Sequence, residues 1–363
     1  MNKYIELLAL NKDFEIIGIL QYYNLQWRRK YYEAGTFSVQ IPYDQYTSDI
    51  KYIYTADRPE VGEVNQINYI EKSGSRTLAL SGYFLEGELN RRIVYELGTG
   101  NITNAPTWTN QAGAAEDVAT AYFNAFKDVT YTYNSKTVEC PLGIDAQASQ
   151  GRGHTSDHER GGEYLGTKIY TILKPSEMAY RVNYDFINNK KTFQCIKGKD
   201  LTQDNTEGNN PVYFSTAFGN LQNPNIVWSD SAYKNGYIVT ASYTENDVDK
   251  VALQANTEPA DEDTDTRFIK VGGSATRDDY DTEALYIAAL HAEGHEDLIT
   301  NKRTMSFDFD AVTGSYEYGE DFDLGDKCSL SVPEIGVSTA AVLSSCEEVI
   351  KKGTWSLTLE FDV

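Results

Sequence analysis

The sequence predicts a β-rich α+β protein in which two small β units flank an α/β region. Alternating apolar and polar residues, which are typical of half-buried strands, dominate the start of the chain and return beyond Pro211. Helical spacing of apolar residues begins after residue 104 and is strongest in the middle of the chain. We therefore expect a first β unit over residues 1–103, a helix-containing α/β region over 104–210, and a second β unit with one inserted helix over 211–363.

Two alternating segments predict strands in the first β unit. Residues 14–20 form one, and Thr36–Pro42 form the other. Phe37, Val39 and Ile41 share one face of the second strand, because side chains alternate between the two faces. That face is predicted to pack on the core.

A hairpin is predicted next. The polar stretch 71–76 supplies turn residues between two β-prone runs, and the second run leads into residues 78–83. We expect the sheet of this unit to close near residues 91–94.

Two helices are predicted in the α/β region. Five apolar residues at helical spacing form one face of the first: Val118, Ala121, Tyr122, Ala125 and Phe126. The second helix ends before Pro175 and carries Leu165, Ile169, Ile172 and Leu173 on one face.

The remaining segments of this region are a loop and a hairpin. Residues 143–162 follow neither period, which predicts a long surface loop. Strands are predicted over 179–187 and 191–196, joined at Asn188 and Asn189, because Asn tolerates the positive φ of a tight turn.

The second β unit is predicted from five strand-like segments: 237–240, 305–312, Lys327–Val332, 340–343 and 354–361. A helix interrupts them, with Leu285, Ala288, Ala289 and Ala292 on one face. We expect Asp281 or Thr282 to cap its start and Gly294 to follow its end.

The charge of the chain argues against several classes of partner. It has 363 residues, with 54 acidic against 32 basic ones, and a formal net charge of −22. Such a charge repels phosphate backbones and anionic lipids, so we expect no nucleic-acid binding. No apolar run approaches the ~18 residues of a membrane helix. Glu6 lies where a signal peptide is apolar, so we expect no secretion signal.

The four cysteines, Cys140, Cys195, Cys328 and Cys346, lack C-x-x-C spacing and the density of a disulfide scaffold. We interpret them as free thiols in a protein made in a reducing cytoplasm. Tyrosine is the more informative residue type, since Tyr outnumbers Phe 27 to 14. Tyr suits subunit contacts, although β-sheet surfaces also favour it.

Candidate metal sites are weak. His291 and His295 are four residues apart, and so are His154 and His158, but neither pair has the Glu of a metalloprotease motif after its first His. The acidic run 261–265 has the oxygen density of a calcium site without the glycine and closing glutamate of an EF-hand. We therefore assign no metal ligand and no cofactor.

Candidate catalytic residues are equally weak. Ser156, Asp157 and His158 contain the residue types of a triad, but adjacent residues in a loop cannot adopt its geometry. Residues 151–153, Gly-Arg-Gly, follow no strand and open no helix, so they match no phosphate-binding loop. Paired carboxylates will occur by chance among so many acidic residues, so their number neither supports nor excludes a glycosidase activity. No catalytic residue is assigned.

The order of five motifs resembles the hub proteins of phage tail tips and contractile baseplates, including siphophage minor tail proteins. Those motifs are WRRKYYEAGTFSVQIP at 27–42, GYFLEGELNRRI at 82–93, FS at 214–215 with GNL at 219–221, KNGYIV at 234–239, and YGEDFDLGDKC at 318–328.

The resemblance covers nearly the whole chain and does not separate siphophages from contractile phages or DNA-free injection particles. It implies two small β-barrels with an α/β region between them, and a homotrimer whose six barrels form a ring. The implied partners are the tail tube protein, the tip or spike proteins and the tape-measure protein. The implied location is a virion tail or tail-like particle, assembled in the host cytoplasm.

From the resemblance we expect a non-enzymatic structural hub that joins the tail tube to the tip. The chain reaches Val363 without a peptidase or receptor module after the second β unit, so we expect another protein to supply lysis or host binding. Two alternatives stay open: a tail-associated cell-wall hydrolase, acting as a glycosidase or metallopeptidase, and a carbohydrate-binding receptor protein, which would need exposed aromatic side chains.

Overall fold

The structure is a computed structural model with two compact units. It describes residues 5–94, 111–133, 136–158, 162–257, 266–273, 275–312 and 314–363. The first unit comprises Met1–Asn225 and Asp308–Val363, and the second is Ile226–Phe307. The predicted β-rich character is confirmed.

Seven antiparallel strands open the first unit, in the spatial order β3-β4-β7-β6-β5-β1-β2. They are β1 (Leu7–Leu10), β2 (Ile16–Leu20), β3 (Asn24–Lys30), β4 (Thr36–Pro42), β5 (Tyr52–Tyr54), β6 (Val61–Lys72) and β7 (Ser75–Phe84). Both predicted strands form, and Phe37, Val39 and Ile41 are buried in the core as expected.

The predicted hairpin is β6–β7, and its turn is Ser73–Gly74, both with positive φ. The expected closure of the sheet near residues 91–94 is wrong. Residues 85–91 form a 3-10 helix instead, and Ile93 makes only a single bridge to Tyr164. Leu85 and Leu89 of this helix are both buried, so the segment packs on the core without joining the sheet.

The middle of the chain contributes two helices and several short strands. They are β8 (Gln111–Ala114), α1 (Ala115–Phe126), β9 (Asp128–Tyr133), β10 (Lys136–Pro141), β11 (Ile144–Ala146), β12 (Thr155–His158), α2 (Leu165–Leu173), β13 (Met178–Asp185) and β14 (Lys190–Lys197). Both helices and the β13–β14 hairpin were predicted, and Asn189 has the positive φ of its turn.

Two details of this region differ from prediction. The buried face of α1 includes Ala119 and Phe123, whereas Ala125 is exposed. The helix is covered from two sides, by α2 and by β14, where Phe123 stacks on Phe193 with ring centroids 4.1 Å apart. The segment 143–162 is also not a plain loop, because β11 pairs with β14 and β12 pairs with β8.

The last strands of the first unit return to the large sheet. They are β15 (Asp200–Leu201), β16 (Tyr213–Ser215), β17 (Leu221–Ser229), β21 (Thr304–Ala311), β22 (Lys327–Val332), β23 (Val337–Lys351) and β24 (Thr354–Asp362). Part of β17 and part of β21 belong to the second unit, because both strands cross a boundary between the units. Strand β23 is longer than the predicted segment 340–343, and it pairs with both β24 and β3. Strands from the start of the chain and from its last forty residues therefore form one continuous sheet.

The second unit packs one helix on a three-stranded sheet. Its elements are β18 (Gly236–Glu245), β19 (Val248–Thr257), β20 (Phe268–Gly272) and α3 (Glu283–Thr300). Its core contains Tyr237, Val239, Ala241, Val271, Tyr286, Leu290 and Leu298.

Helix α3 begins as predicted but does not end as predicted. The Thr282 hydroxyl accepts a hydrogen bond from the backbone N–H of Leu285, which makes Thr282 the cap. Gly294 lies inside the helix, where a Cβ would come within 2.2 Å of the Tyr237 ring. The glycine therefore permits close helix–sheet packing, and the buried face is Tyr286, Leu290 and Leu298 rather than the alanines around the exposed Leu285.

Candidate functional site

A buried charge network lies where β3 pairs with β23. Arg29 is 3% exposed, although it shares the core-facing side of β3 with Leu25 and Trp27. Its Nη2 donates to Glu348 Oε2 at 2.9 Å. Arg58 completes a bidentate pair with the same carboxylate, at 2.9 and 2.7 Å. One buried carboxylate thus links two strands and the loop that precedes β6.

The network fixes the charge state of Glu348. Burial alone would raise the pKa of this carboxyl, but the hydrogen bonds from Arg58 and the charge of Arg29 outweigh it and hold the pKa below its ordinary value. Trp355 adds a third donor, from Nε1 at 3.2 Å. Glu348 is therefore an ionised anchor rather than a proton donor.

Glu86, in the 3-10 helix after β7, behaves in the opposite way. Burial raises its pKa to about 7, and the charge of Arg181 offsets only part of that effect. The neighbouring Glu88 forms an ion pair with Lys191 of β14. The motif at residues 82–93 thus places two buried carboxylates against β13 and β14.

A cavity of about 390 Å³ lies beside this network. Its charged lining is balanced, with three arginines and three carboxylates: Arg29, Arg58, Arg181, Asp57, Glu60 and Asp323. Asn183 and Gln194 face it from β13 and β14, while Tyr180, Val182 and Phe193 of the same strands are buried. The Arg29 guanidinium lies 4.1 Å from the centroid of the Tyr318 ring.

The motif at residues 318–328 contributes four lining residues to this cavity: Tyr318, Gly319, Asp323 and Leu324. The Asp326 carboxylate accepts hydrogen bonds from the backbone N–H groups of Lys199, at 2.7 Å, and Asp323, at 2.8 Å. Gly325 lies against the ring of the buried Tyr31, where a Cβ would come within 2.3 Å. The conformation of this segment is therefore set by contacts with residues distant in sequence.

A second concavity, the tyrosine cleft, lies elsewhere in the first unit. It has a volume of about 450 Å³ and nine lining residues: Tyr32, Glu33, Ala34, Tyr83, Asn90, Thr167, Tyr170, Thr171 and Lys174. Three separate segments build it: the β3–β4 connection, the end of β7 with the 3-10 helix after it, and one side of α2. Tyr83 is 53% exposed.

The histidines form no metal centre in the part of the chain that the structure describes, where no three His, Cys, Asp or Glu residues converge. The Nδ1 of His291 hydrogen-bonds the Tyr237 hydroxyl at 2.7 Å, and His295 is exposed on the same helix. His154 precedes β12, and His158 ends it. The acidic run 261–265 lies outside the described residues.

The triad-like residues, the Gly-Arg-Gly segment and the cysteines lie in ordinary structural positions. Ser156, Asp157 and His158 are successive residues of strand β12. Arg152 of the Gly-Arg-Gly segment makes a bidentate contact with Glu116 at 2.9 Å and also donates to the Cys195 carbonyl. All four cysteines are free thiols, and burial raises the pKa of Cys195 to about 12.

Sequence reasoning missed the charge network, although one signal was present. Arg29 occupies a core-facing position in an alternating strand, where a charged residue needs a buried partner. The partner, Glu348, lies 319 residues away. No local pattern could have identified it.

Comparison with known proteins supports the resemblance. The family model described as "Siphovirus ReqiPepy6 Gp37-like protein" matches residues 5–361. Among curated protein sequences, none matches this chain. No helix in the described ranges combines the length and apolar character needed to cross a membrane.

Two solved structures share the fold. A tail protein from Neisseria meningitidis MC58 superposes with a TM-score of 0.55 at 14% identity, covering 99% of this chain and 97% of the other. The 43 kDa tail protein of prophage MuSo2 from Shewanella oneidensis superposes with a TM-score of 0.58 at 10% identity, covering 98% of each chain. The fold therefore extends over almost the entire length of both proteins.

Proposed function

We propose, since this chain belongs to the Siphovirus ReqiPepy6 Gp37-like family of phage tail proteins, that it is a structural hub of the tail tip. In this role it joins the tail tube to the tip or spike as a ring. The match over residues 5–361 carries the proposal, because it spans both β-rich ends and the middle region. The hub role is non-enzymatic.

The ion pairs of buried carboxylates in the first unit support a structural role. Three of its buried carboxylates form internal ion pairs: Glu348 with Arg29 and Arg58, Glu88 with Lys191, and Glu116 with Arg152. A catalytic acid or base needs access to a substrate. Paired groups of this kind instead fix the positions of strands and loops.

The proposed assembly is a homotrimer in which each chain supplies two barrel-like β modules, so that six modules form the ring. A closed trimer uses one heterologous contact three times. The proposed partners are the tail tube protein, the tip or spike proteins and the tape-measure protein. An acidic bore would let DNA pass without binding it, since like charges repel. The proposed location is the virion tail, after assembly in the host cytoplasm.

Cryo-electron microscopy of the intact particle, with mass spectrometry of its tail proteins, tests the hub role. We expect threefold density for this chain between tube and tip. Sedimentation velocity of the purified chain across a salt series tests the trimer, because screening should weaken repulsion between protomers of charge −22. A monomer at every salt concentration, with no threefold density in the particle, would contradict the proposal.

Zymography on peptidoglycan distinguishes the hub from a cell-wall hydrolase. We expect no clearing by the purified chain. Clearing that one Glu or His substitution abolishes would replace the hub proposal by the hydrolase.

A further inference from the structure

We propose that the tyrosine cleft binds a neutral saccharide. The proposal goes beyond the hub role, because it assigns a small-molecule ligand to this cleft. Its volume, about 450 Å³, falls in the range of about 300–1,000 Å³ found for small-molecule sites.

The wall of the cleft combines aromatic rings with hydrogen-bonding groups. Tyr32, Tyr83 and Tyr170 supply three phenol rings. Tyrosine rings offer apolar faces for the C–H face of a pyranose. Tyr83 is the exposed one of the three, whereas Tyr170 is 8% exposed and its hydroxyl is buried, so that ring forms the floor of the cleft. More than half of the Tyr83 side chain is exposed, so its ring needs no movement of the backbone to reach a ligand.

The polar groups are placed on the exposed side of α2. Thr167, Thr171 and Lys174 lie at helical spacing and are all exposed. The Thr171 hydroxyl donates to the Thr167 carbonyl at 3.0 Å, which leaves the oxygen of that hydroxyl free to accept. The Asn90 amide, in the 3-10 helix after β7, can both donate and accept. A polyhydroxylated ligand can use groups of both kinds.

The charges of the cleft select against ionic ligands. One carboxylate, Glu33, and one ammonium, Lys174, are the charged groups of its lining. Glu33 forms an ion pair with Lys30. The Nζ of Lys174 lies 3.6 Å from Asp362 and 4.9 Å from the centroid of the Tyr32 ring. With no surplus of either sign, the site favours an uncharged ligand over a phosphate or a basic peptide.

Two glycines keep the cleft open. A Cβ on Gly87 would lie 2.8 Å from the Cβ of Tyr83, and one on Gly166 would lie 2.5 Å from the side-chain oxygen of Asn90. Either would displace a side chain that lines the cleft. The open shape therefore depends on glycine at both positions.

The test is saturation-transfer NMR on the purified full chain with three probes, tri-N-acetylchitotriose, cellotriose and maltotriose. We expect transfer to the ring protons of at least one of them. Tyr83→Ala should weaken the binding of that probe at least about tenfold, which corresponds to 1.4 kcal/mol of binding free energy. The matched control is Tyr23→Ala, because Tyr23 is similarly exposed, at 50%, and lies outside the cleft. It should change the affinity by less than about twofold.

A second variant separates loss of the site from loss of the fold. Thr171→Arg puts a long side chain into the cleft from an exposed helix position, so it should block binding while thermal unfolding stays unchanged. Absence of transfer to any of the three probes at millimolar concentration would overturn the proposal. So would equal losses in the Tyr83 and Tyr23 variants. A proline-rich peptide that binds where the sugars do not would reassign the cleft to peptide recognition.

Discussion

The two units of this protein build their cores in different ways. The first unit buries charged side chains, among them Arg29, Glu86 and Glu348. The core of the second unit consists of uncharged side chains, and Asn235 is the one buried polar residue among its described positions. Two ion pairs of the second unit, Lys250–Glu245 and Arg267–Asp230, lie at its surface.

The difference follows from sequence distance. The second unit is made from neighbouring segments within Ile226–Phe307, whose apolar faces suffice to define it. The first unit must bring β3 to β23 across more than three hundred residues, in one register of several possible ones. A buried ion pair is costly unless its geometry is met, so the pair penalises a wrong register. We therefore infer that the buried ion pairs of Glu348 help to select the register of β3 on β23.

The largest effect is expected from Glu348→Ala. It leaves Arg29 and Arg58 without their shared carboxylate, and loss of one partner of a buried pair costs about 3–5 kcal/mol. Urea unfolding of the full chain, with hydrogen exchange to assign the loss to the first unit, measures it. The control is Glu347→Ala on the opposite face of β23, expected to cost at most about 1 kcal/mol. Equal costs for the two variants would contradict the proposed role of the network.

Glu86 should make the stability of the first unit depend on pH. Its pKa is raised from 4.5 to about 7 in the folded state. The contribution of Glu86 to the free energy of unfolding is therefore highest below pH 4.5, where this carboxyl is protonated in both the folded and the unfolded state. It falls by on the order of 2–3 kcal/mol as the pH rises to 7, because the unfolded state then releases the proton more readily. Glu86→Gln should lose this part of the pH dependence. Urea unfolding from pH 4.5 to 7.5 compares the two slopes, and parallel slopes would refute the assignment.

In the second unit, Gly294→Ala should cost about 1–3 kcal/mol, because the added methyl group overlaps the Tyr237 ring. Hydrogen exchange in α3 should accelerate while the first unit keeps its protection. The control is Gly272→Ala in β20, where no atom lies within 4 Å of the added methyl group. If Gly294→Ala were stabilising, the glycine would be a mere helix defect rather than a packing contact.

The smallest effect is expected at the start of α3. Thr282→Ala removes the hydroxyl that accepts from Leu285 N–H and should cost about 1 kcal/mol. Asp281→Ala should leave the stability of α3 almost unchanged, although the sequence alone allowed either residue as the cap. Thermal unfolding of both variants decides between them. A larger loss for the Asp281 variant would assign the cap to that residue.

Elements defined by local patterns could be predicted from the sequence. The alternation of Phe37, Val39 and Ile41 identified β4, and the spacing of Leu165, Ile169 and Leu173 identified α2. Gly294 was misinterpreted because a glycine that ends a helix and one that admits a packed ring look alike in sequence.

The charge network and the tyrosine cleft could not be predicted. The cleft takes Tyr32, Tyr83 and Thr167 from three segments that no periodicity connects. The family was recognised instead from the order of five motifs along the chain, which does not depend on knowing any single contact between distant residues.

The pairing of β3 with β23 has a consequence for how the protein is made. While the chain is being synthesised, one edge of β3 stays unpaired until the ribosome has produced β23. The second unit, built from local contacts, can fold before that partner emerges. The first unit can be completed only after β23 has been synthesised. Chains truncated before β23 would therefore leave one edge of β3 unpaired, although their second unit could still fold.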